Sequence, residues 1–181
     1  MRGLADQERI RSFMLALSAE SREEARLYFT GGATAVLLGW RTSTIDVDIK
    51  LVPEIDRLMR AIPQLKETLQ LNVELASPAD FIPELPGWED RSPFIARDGR
   101  ISFHHYDPYS QALSKIERSH AQDIGDVREM LRRGLVEPNT LLEYFRRIEP
   151  LLYRYPAIDA ESFGRAVEEA VRSPGEPSSP G

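Results

Sequence analysis

Cysteine is missing from the 181 residues, and that absence removes three chemistries together: disulfide staples, thiolate metal sites and cysteine nucleophiles. Long apolar runs are missing too. No stretch approaches the roughly 20 consecutive apolar residues that span a bilayer. The opening Met1-Arg2-Gly3-Leu4-Ala5-Asp6-Gln7-Glu8 turns polar too soon for the apolar centre of a signal peptide. The expectation is a cytoplasmic protein with no membrane partner. Positive charge is not in excess: 23 Lys and Arg stand against 29 Asp and Glu, a net charge of -6. A broad basic coat for nucleic acid is therefore excluded, although a local patch can still hold one RNA. Histidine is scarce, and no zinc-ligand spacing occurs. His104 and His105 are adjacent in a strand pattern, so they point to opposite faces and cannot act as a pair.

The chain reads as α+β in its first half and helical in its second. Apolar residues at Ile10, Phe13, Met14 and Leu17 have helical spacing. Leu27 to Thr30 is a strand-like run that stops at Gly31-Gly32, and Ala33 to Gly39 is a short helix of small apolar residues. Ile45 to Leu51 is the clearest strand, with Ile45, Val47, Ile49 and Leu51 expected on one face and Asp46, Asp48 and Lys50 on the other. A helix follows from Ile55 to Leu69, and Leu71 to Ala76 forms a further strand. Asp98-Gly99 signals a hairpin between Phe94–Arg97 and Arg100–Tyr106. Helices are then expected over Pro108–Arg118, Ala121–Arg133, Pro138–Tyr153 and Ala160–Val171. The expected organisation is a core over residues 1–107, a helical region packed on it over 108–172, and a disordered Ser/Pro/Gly tail over 173–181.

Chemistry concentrates in two segments, Tyr28-Phe29-Thr30-Gly31-Gly32-Ala33-Thr34-Ala35 and Arg41-Thr42-Ser43-Thr44-Ile45-Asp46-Val47-Asp48. A strand ending in two glycines just before a helix lets backbone N–H groups approach an anion closely. The following strand presents two carboxylates on one face, about 7 Å apart along the strand. That spacing suits two divalent cations roughly 3.5–4 Å apart, the arrangement used for in-line phosphoryl displacement.

Gly-Gly, a short helix and Arg-x-Ser/Thr-x-hydrophobic-Asp-x-Asp resemble the signature of the polymerase-β-like nucleotidyltransferase superfamily, and most of all its minimal bacterial branch that includes the AbiEii-like toxins. The resemblance implies a nucleotidyltransferase fold, with a small mixed sheet flanked by helices and a C-terminal helical bundle. It also implies transfer of an NMP from an NTP to an RNA or protein hydroxyl with Mg²⁺ or Mn²⁺, and a cognate antitoxin-like partner. In that reading Asp46, Asp48 and Glu74 are catalytic and bind metal. Gly31, Gly32, Thr34, Arg41 and Thr44 hold the nucleotide. The superfamily's serine after the second glycine is Ala33 here, so the hydroxyl is expected from Thr34 or Thr30.

Lys115 and Arg118 share a helix face, as do Asp123 and Asp126 on the next helix. They resemble the Lys…Arg-Asp-x-x-Asp segment of the AbiEii-like group, which implies triphosphate contact. On the residues alone an interhelical salt-bridge set stands equally open. The competing class is a non-catalytic nucleotidyltransferase-fold binding module, favoured by Ala33 and opposed by the mutual repulsion of two clustered acids.

Overall fold

The computed structural model describes residues 2–172; the expected tail, 173–181, lies outside them. The chain divides into two compact units, Met1–Ser77 with Ser92–Tyr106, and Pro78–Arg91 with Asp107–Gly181. The first holds α1 (Gln7–Glu20), β1 (Ala25–Thr30), α2 (Gly32–Leu38), β2 (Asp46–Val52), α3 (Asp56–Leu69), β3 (Asn72–Leu75), β4 (Phe94–Asp98) and β5 (Ile101–His105). Its five strands form one mixed sheet in the order β3-β2-β1-β5-β4. The β1/β2 and β4/β5 pairs are antiparallel, and β1/β5 and β2/β3 are parallel. The fold class is α+β, as the pattern of elements implies.

The alternation along β2 sets the sheet's two faces. Val47, Ile49 and Leu51 are buried, while Asp46, Asp48 and Lys50 are half-buried. The apolar face joins Ile10, Phe13 and Leu17 of α1, Leu58 of α3, Val73 of β3 and Phe103 of β5 in one core. Asp6 starts α1 by accepting a hydrogen bond from Arg9 N at 2.9 Å, which satisfies one of the helix's orphan donors.

Ile45 departs from expectation. It precedes the strand and is 70% exposed, because Thr44 pairs instead with Ala5 through reciprocal backbone bonds of 2.8 and 2.9 Å. The hairpin turn also shifts by one residue. Asp98 pairs with Ile101, so Gly99 and Arg100 make the loop, with Gly99 at φ 54°.

The second unit holds α4 (Pro108–Arg118), α5 (Ala121–Arg132), α6 (Pro138–Ile148), α7 (Ala160–Arg172) and 3₁₀ turns at Pro78–Asp80 and Glu149–Arg154. The helix expected over Pro138–Tyr153 ends at Ile148 because Pro150 has no N–H for the next helical bond. Arg91 ties the segment before Ser92 to these helices. Its guanidinium bonds Asp107 at 2.8 and 3.2 Å and lies 4.3 Å from the Tyr144 ring centroid. Asp107 is fully buried and also caps α4, accepting from the backbone N–H groups of Tyr109 and Ser110. Among the described residues no helix is long and apolar enough to cross a membrane.

Candidate active site

Strand register assembles the first half of the site. Thr30 at the end of β1 is the partner of Asp48 on β2, and Asp48 is the partner of Glu74 on β3. Register partners share a face, and neighbouring strands lie about 4.8 Å apart. Thr30, Asp48 and Glu74 therefore form a row across three strands. Asp46 and Asn72 form a second, two-strand row beside it.

The diglycine turn closes on this face. A Cβ on Gly31 would stand 3.0 Å from Asp48 Oδ2, so the turn's backbone and the carboxylate are immediate neighbours. Gly31 has φ 62° and ψ -132°, outside the ordinary left-handed well and reserved in practice for glycine. Gly32 opens α2, and a Cβ there would overlap Thr44 Oγ1 and come within 2.7 Å of Thr44 Cβ and 3.3 Å of Arg41 Nη1. Thr44 is held by donating its hydroxyl to Asp46 O at 3.1 Å. Gly31, Gly32, Arg41, Thr44 and Asp48 thus meet at the turn, and the backbone carbonyl of Asp46 joins them through Thr44. Gly31→Ala is expected to cost about 1–3 kcal/mol of stability through backbone strain, read as a lowered denaturant midpoint with an unchanged slope.

Asn72 is a residue that motif reasoning missed. Its amide nitrogen donates to Asp46 Oδ1 in a short bond and to Glu74 Oε1 at 3.1 Å. Arg2 Nη1 donates to its amide oxygen at 3.2 Å, which fixes the amide so that both N–H groups face the acids. The available signal was its position two residues before Glu74 in a strand, hence on the same face.

Among the described residues no group of three or more His, Asp or Glu side chains is gathered closely enough to hold a metal ion, so the three expected ligands are not drawn into one cluster. Two carboxylates fit Mg²⁺ nonetheless, because that ion takes one or two of them and completes its shell with water and substrate phosphates. Asp46 and Asp48 would supply the hard oxygen donors. Glu74 is exposed and hydrogen-bonded to Asn72.

Thr34 requires a correction. It was expected at the nucleotide, but it is buried with its hydroxyl donated to Phe29 O at 3.2 Å and 3.1 Å from His105 Nδ1. Burial, and secondarily the charge of His104, lower the His105 pKa from 6.5 to about 4. Between those values the unfolded chain binds the proton and the folded chain does not, so stability is full above pH 6.5 and falls toward pH 4. Melting temperatures followed across that window are expected to drop, and His105→Gln is expected to flatten the drop.

In the helical unit Lys115 Nζ lies 2.7 Å from Asp126 Oδ2 and 3.5 Å from Asp123 Oδ1, while Arg118 Nε is 3.5 Å from Asp123 Oδ2. Lys115, Asp123 and Asp126 are all buried. These contacts join the four residues in one interhelical ionic network.

A family model described as nucleotidyltransferase of unknown function (DUF6036) matches residues 8–161. Comparison with the curated proteins and with the solved structures gives no match.

Proposed function

The chain belongs to the nucleotidyltransferases of unknown function (DUF6036), and from that premise we propose that the Gly31–Gly32 turn and the Asp46/Asp48 face transfer an NMP from an NTP to a hydroxyl of an RNA or protein acceptor. The observation that carries this reading is the packing of the Asp48 carboxylate against Gly31. It sets one of the two strand carboxylates directly against the diglycine turn.

Asp46 and Asp48 would hold a divalent cation, Mg²⁺ or Mn²⁺, which when bound supplies charge neutralisation at the triphosphate and at the attacking oxygen. The chain's own residues do the rest. The missing Cβ atoms of Gly31 and Gly32 let Asp48 and Thr44 close against the turn, and the glycine backbone itself would take the triphosphate. Arg41, beside Gly32, contributes positive charge to the phosphates. Glu74 accepts the proton of the acceptor hydroxyl as its oxygen bonds to the α-phosphorus. The bond from that phosphorus to the bridging oxygen breaks, and pyrophosphate leaves.

Incubation with Mg²⁺, each α-labelled NTP in turn, and either total RNA or a protein lysate tests the reading. Label is expected on a macromolecule with release of pyrophosphate. No labelling by any NTP, together with no metal-dependent rise in melting temperature on adding NTP, would defeat it. A toxin–antitoxin or phage-defence effector role, which rests on the resemblance to the AbiEii-like group and on no residue, belongs to the same proposal: expression of the wild type, but not of Asp48→Asn, is expected to arrest growth.

A second reading has one observation in its favour. Ala33 offers no hydroxyl to the turn, and the hydroxyl of Thr34 is engaged in the core. A non-catalytic binding module would bind NTP weakly or not at all and leave the labelling assay blank.

A further inference from the structure

The opposite edge of the sheet from Asp46 and Asp48 is formed by β4. Between this strand and helices α1 and α2 runs a groove of about 620 Å³, its apolar part built from Met14, Leu15, Leu37, Leu38, Phe94 and Ile95. Leu15 and Phe94 are 60% and 63% exposed. Single exposed apolar residues are ordinary, but two large ones beside one apolar groove on a sheet edge mark a contact surface.

Charge is distributed unevenly along the groove. A Cβ on Gly99 would stand 3.7 Å from Ser18 O, which puts the β4–β5 turn, and Asp98 beside it, at the C-terminal end of α1. Arg11 lies about 10 Å back along that helix. Both residues line the groove, and neither side chain has a hydrogen bond or ion pair among the described residues. The neighbouring cations Arg97 and Arg100 are spent on Glu24. The surface is thus positive at one end, apolar in the middle and negative at the other.

We infer that this edge is a self-association surface, occupied by a second copy of the chain related by a twofold axis through the middle of the groove. In an isologous contact residue i meets j and j meets i. A twofold axis here brings Arg11 of each copy to Asp98 of the other and covers Leu15 and Phe94 with their own kind. The patch therefore already carries both halves of its complement. The bulge between Phe94 and Ala96 interrupts the strand pairing, so side chains rather than a continuous backbone ladder hold the contact. The site face of β2 and β3 takes no part, which makes this inference independent of the proposed activity.

Sedimentation velocity of the full chain over a concentration series tests it. A reversible dimer is expected, and Leu15→Glu or Phe94→Lys is expected to raise its dissociation constant by about tenfold or more at an unchanged melting temperature. Arg11→Asp is expected to weaken the dimer likewise, and adding Asp98→Arg to restore it. Because the chain has no cysteine, a mixture of Arg11→Cys and Asp98→Cys proteins should cross-link through a short bis-maleimide, whereas neither protein alone should. A monomer at every concentration overturns the inference, including one whose edge captures a peptide or another protein. A dimer untouched by Leu15→Glu, Phe94→Lys and Arg11→Asp, with no mixed cross-link, overturns it equally.

Discussion

Replacing Asp48 with Asn is expected to slow nucleotidyl transfer by about 10²- to 10⁴-fold, since a bound cation contributes several kcal/mol to phosphoryl transfer and each 1.36 kcal/mol is a factor of ten. The substitution keeps the shape of the side chain and removes its charge. The increase in melting temperature on adding Mg²⁺ and NTP is expected to disappear with it. Asp46→Asn is expected to lose activity similarly and also to lower the melting temperature in chelator, because Asp46 accepts the Asn72 amide and a neutral amide is a weaker acceptor than a carboxylate. Initial rates of label transfer, with melts in chelator and in Mg²⁺, measure both effects. A rate for Asp48→Asn within a few-fold of wild type would remove the carboxylate pair from the mechanism.

What the sequence reveals of this site is set by how local the interactions are. The two faces of β2 are legible because the period of a strand is written residue by residue: Val47, Ile49 and Leu51 are buried where the alternation puts them. The diglycine turn is legible because only glycine serves there, and Gly31 does adopt a positive φ. Long-range partners leave no such mark. Ile45 looks like the first apolar residue of the strand, yet β2 starts only at Asp46 and Thr44 bridges to Ala5 instead. Thr34 looks like a phosphate ligand when only its distance from Gly32 is known, but His105, 71 residues away, draws its hydroxyl inward. Asn72 is an ordinary polar strand residue until register sets it opposite Asp46. The placement of Pro78–Arg91 with the helical unit draws on long-range contacts, the Arg91–Asp107 ion pair and the bond from the Tyr155 hydroxyl to Ala79 O among them, which no local pattern announces.

The Lys115 clasp shows why motif resemblance and structural role must be tested separately. Lys115→Met is expected to destabilise the protein by about 3–5 kcal/mol, because it removes the ammonium ion that faces both Asp123 and Asp126 in a buried network. Lys115 is 7% exposed, Asp123 5% and Asp126 2%, so solvent screens the loss poorly. Arg118 offers little relief: its side chain is 44% exposed and reaches only Asp123, at 3.5 Å. Removing all the buried charges together is a different experiment. Lys115→Met with Asp123→Asn and Asp126→Asn eliminates the unpaired ions as well as the pair, and replacing a whole buried network often costs little. The triple variant is therefore expected to regain most of the stability that the single variant loses, a non-additivity that denaturant melts measure directly. Its rate of nucleotidyl transfer then decides between the two roles read from the sequence. As an interhelical clasp the network is dispensable to chemistry once the fold is restored, and the triple variant should transfer label with the wild-type KM for NTP. A stable triple variant whose KM rises tenfold or more, by about 1.4 kcal/mol, would instead return Lys115 to the triphosphate.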